Sequence, residues 1–158
     1  MITTKLFNVD IDKFITSFNI PIYKGVFSSD NIPYNLVGDF ILICNLSNVN
    51  EVGTHFICLC RIGISIFILD SLALNVGNVN LANFIKIMIQ KSDILYVIKQ
   101  PIQHHKSEGC GLYCIFFVLI SYCSMSNNMP QLYKFSNNLV QNDVICERNI
   151  YKLLEQIQ

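Results

Sequence analysis

His55, Asp70, Gln103 and Cys110 are, in type and in order, the residues that a cysteine-based acyl transfer needs. Such chemistry takes a thiol nucleophile, an imidazole to share its proton, a group to orient the imidazole, and a donor for the developing oxyanion. The densest stretch is Pro101 to Cys114, reading PIQHHKSEGCGLYC and continuing as the apolar run IFFVLISYC. The run predicts a buried helix with Cys110 at its N-terminus. A thiol there faces unpaired backbone N–H groups and the positive end of the helix dipole, both of which favour the thiolate. Gly109 and Gly111 bring no Cβ atoms to a place where a substrate backbone would have to come close. Gln103, seven residues before Cys110, offers a side-chain amide for the oxyanion. Taken alone, the stretch also reads as a core helix with a small buried cysteine.

Other elements must deliver the imidazole and the acid. THFICLC (54–60) and ISIFILD (64–70), separated by Arg61-Ile62-Gly63, predict a β-hairpin. With Ile62-Gly63 as its two-residue turn, His55 and Asp70 fall opposite one another on one face, with Cβ atoms about 5 Å apart. A slip of register would separate them. Both border apolar segments, so an Asp that merely satisfies a buried His is the structural alternative. Around the hairpin, Asp10 reads as the N-cap of a short helix carrying Ile11, Phe14, Ile15 and Phe18 at helical spacing. Residues 22 to 38 read as loop with at most a short strand, and Asp39 to Leu46 as a central strand. A helix over 80–91, a strand from Ile94 to Lys99, and tail helices near 130–140 and 147–157 complete the chain. The expectation is one α+β domain over residues 1–158, a central mixed β-sheet flanked by helices.

Composition bounds the setting. A chain of 158 residues buries about two-thirds of its unfolded surface. At 52% hydrophobic and 14% charged, it should have a large dry core. Eleven basic residues balance eleven acidic ones, which argues against nucleic acid as a partner. The seven cysteines sit inside apolar runs rather than at loop spacings, which fits reduced thiols in an intracellular compartment, nucleus or cytoplasm. No signal peptide is visible, and the longest apolar run is too short to span a bilayer, so no membrane is expected. Cys114, one turn after Cys110, reads as core. His104 and His105 are adjacent and would need further convergent ligands to hold a metal; they read as a solvated loop, and no metal site is expected.

The blocks VGTHF, FILD, and PIQ followed by EGCGLYC resemble the active-site blocks of the adenovirus endopeptidase (adenain) family of cysteine proteases. IPIYKGVFSSDNIP resembles that family's segment after its first helix, FILICNLSNVNEVGTHF its strand leading into the histidine, and CERNIYKLLEQI its last helix. The resemblance covers most of the chain, and the Gln-x6-Cys-Gly block is its most specific part. It implies a papain-like, adenain-like fold in which Cys110 is the nucleophile, His55 the general base and Asp70 its orienting acid. The Gln103 side chain and the Cys110 backbone N–H would form the oxyanion hole, with Gly53, Phe56, Gly109 and Gly111 along the substrate. Phe56 stands where the family typically has Trp, and Asp70 where the mammalian adenoviral enzymes have Glu; Asp is usual in the wider clan, which includes the SUMO and NEDD8 proteases. Those adenoviral enzymes use a disulfide-linked activating peptide and DNA. The corresponding KSDILYVIK has no Cys and the net charge is zero, so neither cofactor carries over, and the sequence requires none. The implied substrate is a capsid or core precursor of a virus or virus-like element, cut after a small residue such as Gly, with the enzyme packaged in the virion as one setting. A deubiquitinase or SUMO-type isopeptidase acting on ubiquitin-like conjugates, and a non-catalytic binding module, are the alternatives.

Overall fold

The computed structural model describes residues 6–74, 77–89, 93–98 and 100–125, and only the backbone of Cys123 and Ser124. In chain order these form α1 (Asn8–Thr16), β1 (Tyr23–Ser28), β2 (Phe40–Asn45), β3 (Phe56–Ile62), β4 (Ser65–Leu69), α2 (Val79–Met88), β5 (Ile94–Val97) and α3 (Cys110–Ser124). The strands build one sheet in the order β1-β2-β3-β4-β5. Its outer pairs, β1 with β2 and β4 with β5, are parallel, and the two central pairings are antiparallel. The fold is therefore α+β with a mixed sheet. The expected helices near 130–140 and 147–157 lie outside the described residues.

Both faces of the sheet are covered, which is why its strands read as continuous apolar runs instead of alternating ones. On one face Ile41 and Ile43 of β2, with Cys58 and Cys60 of β3, join the cluster formed with α1 and α3. On the other, Phe40, Leu42 and Cys44 of β2, with Ile57 and Leu59 of β3, pack with Leu81 and Phe84 of α2. α3 is apolar on all sides and is buried from Cys110 through Leu119, as a helix without a polar face must be.

Four details differ from the sequence expectation, each for a local reason. The hairpin turn is Gly63-Ile64, one residue later than expected, because Gly63 takes the left-handed conformation (φ 55°) that a tight turn needs, and Ile62 pairs with Ser65. Residues 23–28 form a full edge strand: Gly25, at φ 120°, sits at an irregularity between Tyr23 and Val26 instead of breaking the strand. α1 starts at Asn8, and Asp10 caps it from within, its carboxylate accepting the Phe7 N–H at 3.2 Å. α2 ends at Met88, whose carbonyl accepts Arg61 Nη1 at 2.6 Å.

Candidate active site

His55 immediately precedes β3 and Asp70 immediately follows β4, so the hairpin carries both to the same end of the sheet. Extending the observed register past the strand ends puts Leu72, not Asp70, opposite His55. The later turn moves the partner by two positions, and with a side-chain period of two that keeps Asp70 on the same face, now as the diagonal neighbour. The pair still closes: His55 Nε2 and Asp70 Oδ1 are 2.6 Å apart, with 6% and 2% of the two residues exposed. A carboxylate can only accept, so Nε2 is the donor. Asp70 is itself fixed by its own turn. Oδ1 also accepts the Leu72 N–H at 2.9 Å, and Oδ2 accepts the Leu74 N–H at 3.0 Å.

The same imidazole lies beside the Cys110 side chain, close enough for that group to act on its protonation. With Nε2 taken by Asp70, Nδ1 is the nitrogen left for sulfur. Burial pulls the His55 pKa down, but the hydrogen bonds and charges of Asp70 and Cys110 outweigh it, and the imidazole is pushed up to about 9. Cys110 is the first residue of α3, and the N-cap, Gly109, has no side chain with which to occupy the first-turn N–H groups. Gly109 is buried with an ordinary backbone (φ −78°, ψ 5°), so what it supplies is the missing side chain and not an unusual conformation. The other described cysteines differ from Cys110. Cys44, Cys58 and Cys60 are fully buried and Cys114 nearly so. Burial pushes the thiols of Cys44 and Cys60 up to about 12, and those of Cys58 and Cys114 well up.

Gln103 is 4% exposed and held at both ends. Its Oε1 accepts the Ser71 hydroxyl at 2.5 Å, and its Nε2 donates to the Ser107 carbonyl at 2.7 Å. An amide nitrogen carries two hydrogens, and the Ser107 bond uses one. The loop beneath it is tied down as well: the Ser71 carbonyl accepts the Ile102 and Gln103 N–H groups at 2.8 and 2.9 Å, and the Tyr113 hydroxyl donates to the Ile102 carbonyl at 3.1 Å. Ser71, Ser107 and Tyr113 had no sequence signal beyond their neighbours. The adjacency of Ser71 to Asp70 was the one hint available.

Two glycines expected along the substrate have packing partners in the fold. A Cβ on Gly111 would lie 2.8 Å from Ile11 Cδ1 and 3.3 Å from Leu6 Cβ, so this glycine lets α1 approach the start of α3. A Cβ on Gly53 would run into the Asn45 amide, which is engaged with Asn8 and with the Ser47 backbone. Phe56 is buried in the core beside α3. His104 and His105 are exposed with ring centroids 4.3 Å apart. Among the described residues no group of three or more His, Cys, Asp or Glu converges as a metal site, and no helix is long and apolar enough to cross a membrane.

The structure thus brings Cys110 at the N-terminus of α3 together with the hydrogen-bonded His55–Asp70 pair, with the Gln103 loop anchored to the residue after Asp70. No protein-family model matches the sequence, and no curated protein is significantly similar to it.

Proposed function

We propose that this chain is a cysteine endopeptidase of the adenain type. The observation that carries the reading is a single buried imidazole shared between a carboxylate and the thiol that begins a helix. A structural His–Asp pair has no need of a thiol as second partner, and a core cysteine has no need of a raised imidazole beside it.

The reaction follows from the geometry. The Cys110 proton passes to His55 Nδ1 before sulfur attacks the scissile carbonyl, and the imidazolium stays paired with Asp70 through Nε2–H. The oxyanion forms where the Cys110 backbone N–H and the unused Gln103 Nε2–H can donate. Collapse breaks the C–N bond, and the leaving amine takes the proton from His55. The acyl group remains on sulfur as a thioester. Water, deprotonated by His55, then attacks the thioester, and the thiol and the shortened peptide are released. The chain needs no metal or organic cofactor for these steps.

The substrate we assign is a precursor protein of a virus or virus-like element, cut after Gly. The assignment rests on the resemblance of the VGTHF, FILD and EGCGLYC blocks. The test is incubation of the full chain with Gly-Gly-containing peptides beside ubiquitin-like probes that end in a vinyl electrophile. Peptide cleavage without probe capture supports an endopeptidase. Rapid capture of a ubiquitin-like probe would replace that substrate with ubiquitin-like conjugates. Neither reaction, from a protein whose Cys110 is intact, would refute the enzymatic reading.

A further inference from the structure

Gln103 is useful to an oxyanion only in one of two orientations. Turned by half a revolution, its amide fills the same space but aims oxygen, not N–H, at the developing charge. Two contacts select the productive orientation. The Ser107 carbonyl can only accept and so selects the nitrogen end, while the Ser71 hydroxyl, able to donate or accept, then donates to the oxygen end at 2.5 Å and fixes its position. Ser71 is 1% exposed, so no bulk water stands ready to replace its hydroxyl. Its carbonyl meanwhile accepts both Ile102 N–H and Gln103 N–H.

Resting on the acyl-transfer reading of the site, we propose that Ser71 is a positioning residue: its hydroxyl locks the Gln103 amide with N–H toward the oxyanion. The dipeptide Asp70-Ser71 then sets both halves of the machinery, the acid through one side chain and the oxyanion donor through the next. Ser71→Ala removes only the hydroxyl and leaves the backbone contacts to the loop in place. Gln103 Oε1 is then buried without its donor, and the amide, held at its nitrogen end alone, can swing out of line with the oxyanion.

A double-mutant cycle with two chemical probes tests this on the full chain. p-Nitrophenyl acetate acylates Cys110 through a tetrahedral oxyanion, whereas iodoacetamide alkylates the same sulfur by displacement and builds no oxyanion. Gln103→Ala should slow acylation by about 10²–10³-fold, the usual loss for one oxyanion donor. Ser71→Ala should slow it by about tenfold or more, and Ser71→Ala/Gln103→Ala should be no slower than Gln103→Ala alone, because Ser71 acts through that amide. Alkylation of Cys110 should keep its wild-type rate in all three. Should Ser71→Ala fail to fold, Ser71→Cys puts a weaker donor in the same place and carries the same comparison. Acylation of Ser71→Ala at the wild-type rate beside a slow Gln103→Ala overturns the inference, as do multiplying effects or a loss of iodoacetamide reactivity in Ser71→Ala. A Gln103→Ala variant that acylates normally, or a wild-type chain that does not acylate, overturns the acyl-transfer reading and this inference with it.

Discussion

Asp70→Asn is the substitution whose outcome the geometry constrains most closely. Three N–H groups converge on the carboxylate: His55 Nε2–H and Leu72 N–H on Oδ1, and Leu74 N–H on Oδ2. An asparagine has one acceptor oxygen and one donor NH₂. With oxygen toward His55, one donor, Leu74 N–H, faces the NH₂. With oxygen toward Leu74, both His55 and Leu72 face it. The first arrangement loses less, so the imidazole keeps its tautomer, and one backbone N–H is left without its acceptor at a cost of about 1–3 kcal/mol in stability. What His55 loses is the charge of its partner. If the imidazole, now at about 9, fell back to its ordinary 6.5, its protonated form would lose about 3 kcal/mol, a factor of about 10²–10³. Part of the elevation comes from Cys110, so this is a ceiling. Iodoacetamide alkylation of Cys110 at pH 6, followed by mass spectrometry, reads the effect without a known substrate, and thermal melting reads the fold. Alkylation at the wild-type rate, with the fold intact, would refute the reasoning, because Asp70 would then satisfy a core histidine and do nothing for the thiol.

Three further outcomes are expected. Brief iodoacetamide treatment should label Cys110 in preference to the four other described cysteines; for Cys44 and Cys60, thiols at about 12 against an ordinary 9.0 hold about 10³-fold less thiolate. Equal labelling of Cys58 would contradict the assignment. Acyl transfer should persist to about pH 9 and decline above it as His55 loses its proton, and a pH–rate profile of p-nitrophenyl acetate acylation that fell at 6.5 would contradict the hydrogen-bonded imidazole. The folded-state pKa is raised, so the matching stability, of order 3 kcal/mol, is fully present below about pH 6.5 and lost as pH rises through about 9. Gly111→Ala would press a Cβ against Ile11 and Leu6; since the Ile11 methyl can swing aside, a loss of about 1–2 kcal/mol is expected, read as a Tm lowered by several degrees.

The candidate-site residues His55, Asp70 and Cys110 were legible because each sits at the end of an element. His55 and Asp70 stand out as the polar borders of apolar strands, and a side-chain period of two kept them on one face despite the one-residue error in the turn. β1 was not legible: Gly25 and the neighbouring Ser and Asn residues look like punctuation, and only pairing with β2 makes a strand of them. The packing role of Gly111 was hidden for a general reason. A glycine beside a nucleophile is equally explained by a substrate on one side or a helix on the other, and only tertiary contact shows Ile11 there. Ser71 escaped because a buried serine carries no pattern of its own; its meaning lies in the Gln103 amide 32 residues away.

The central claim is that Cys110, under control of His55, forms a thioester. The most direct measurement is mass spectrometry of the full chain quenched in acid during reaction with an acetyl-Gly-Gly p-nitrophenyl ester. The account predicts the acyl group on Cys110, absent in Cys110→Ala and formed far more slowly in His55→Ala. An acyl group carried by another residue, or formed at the same rate without His55, would contradict it.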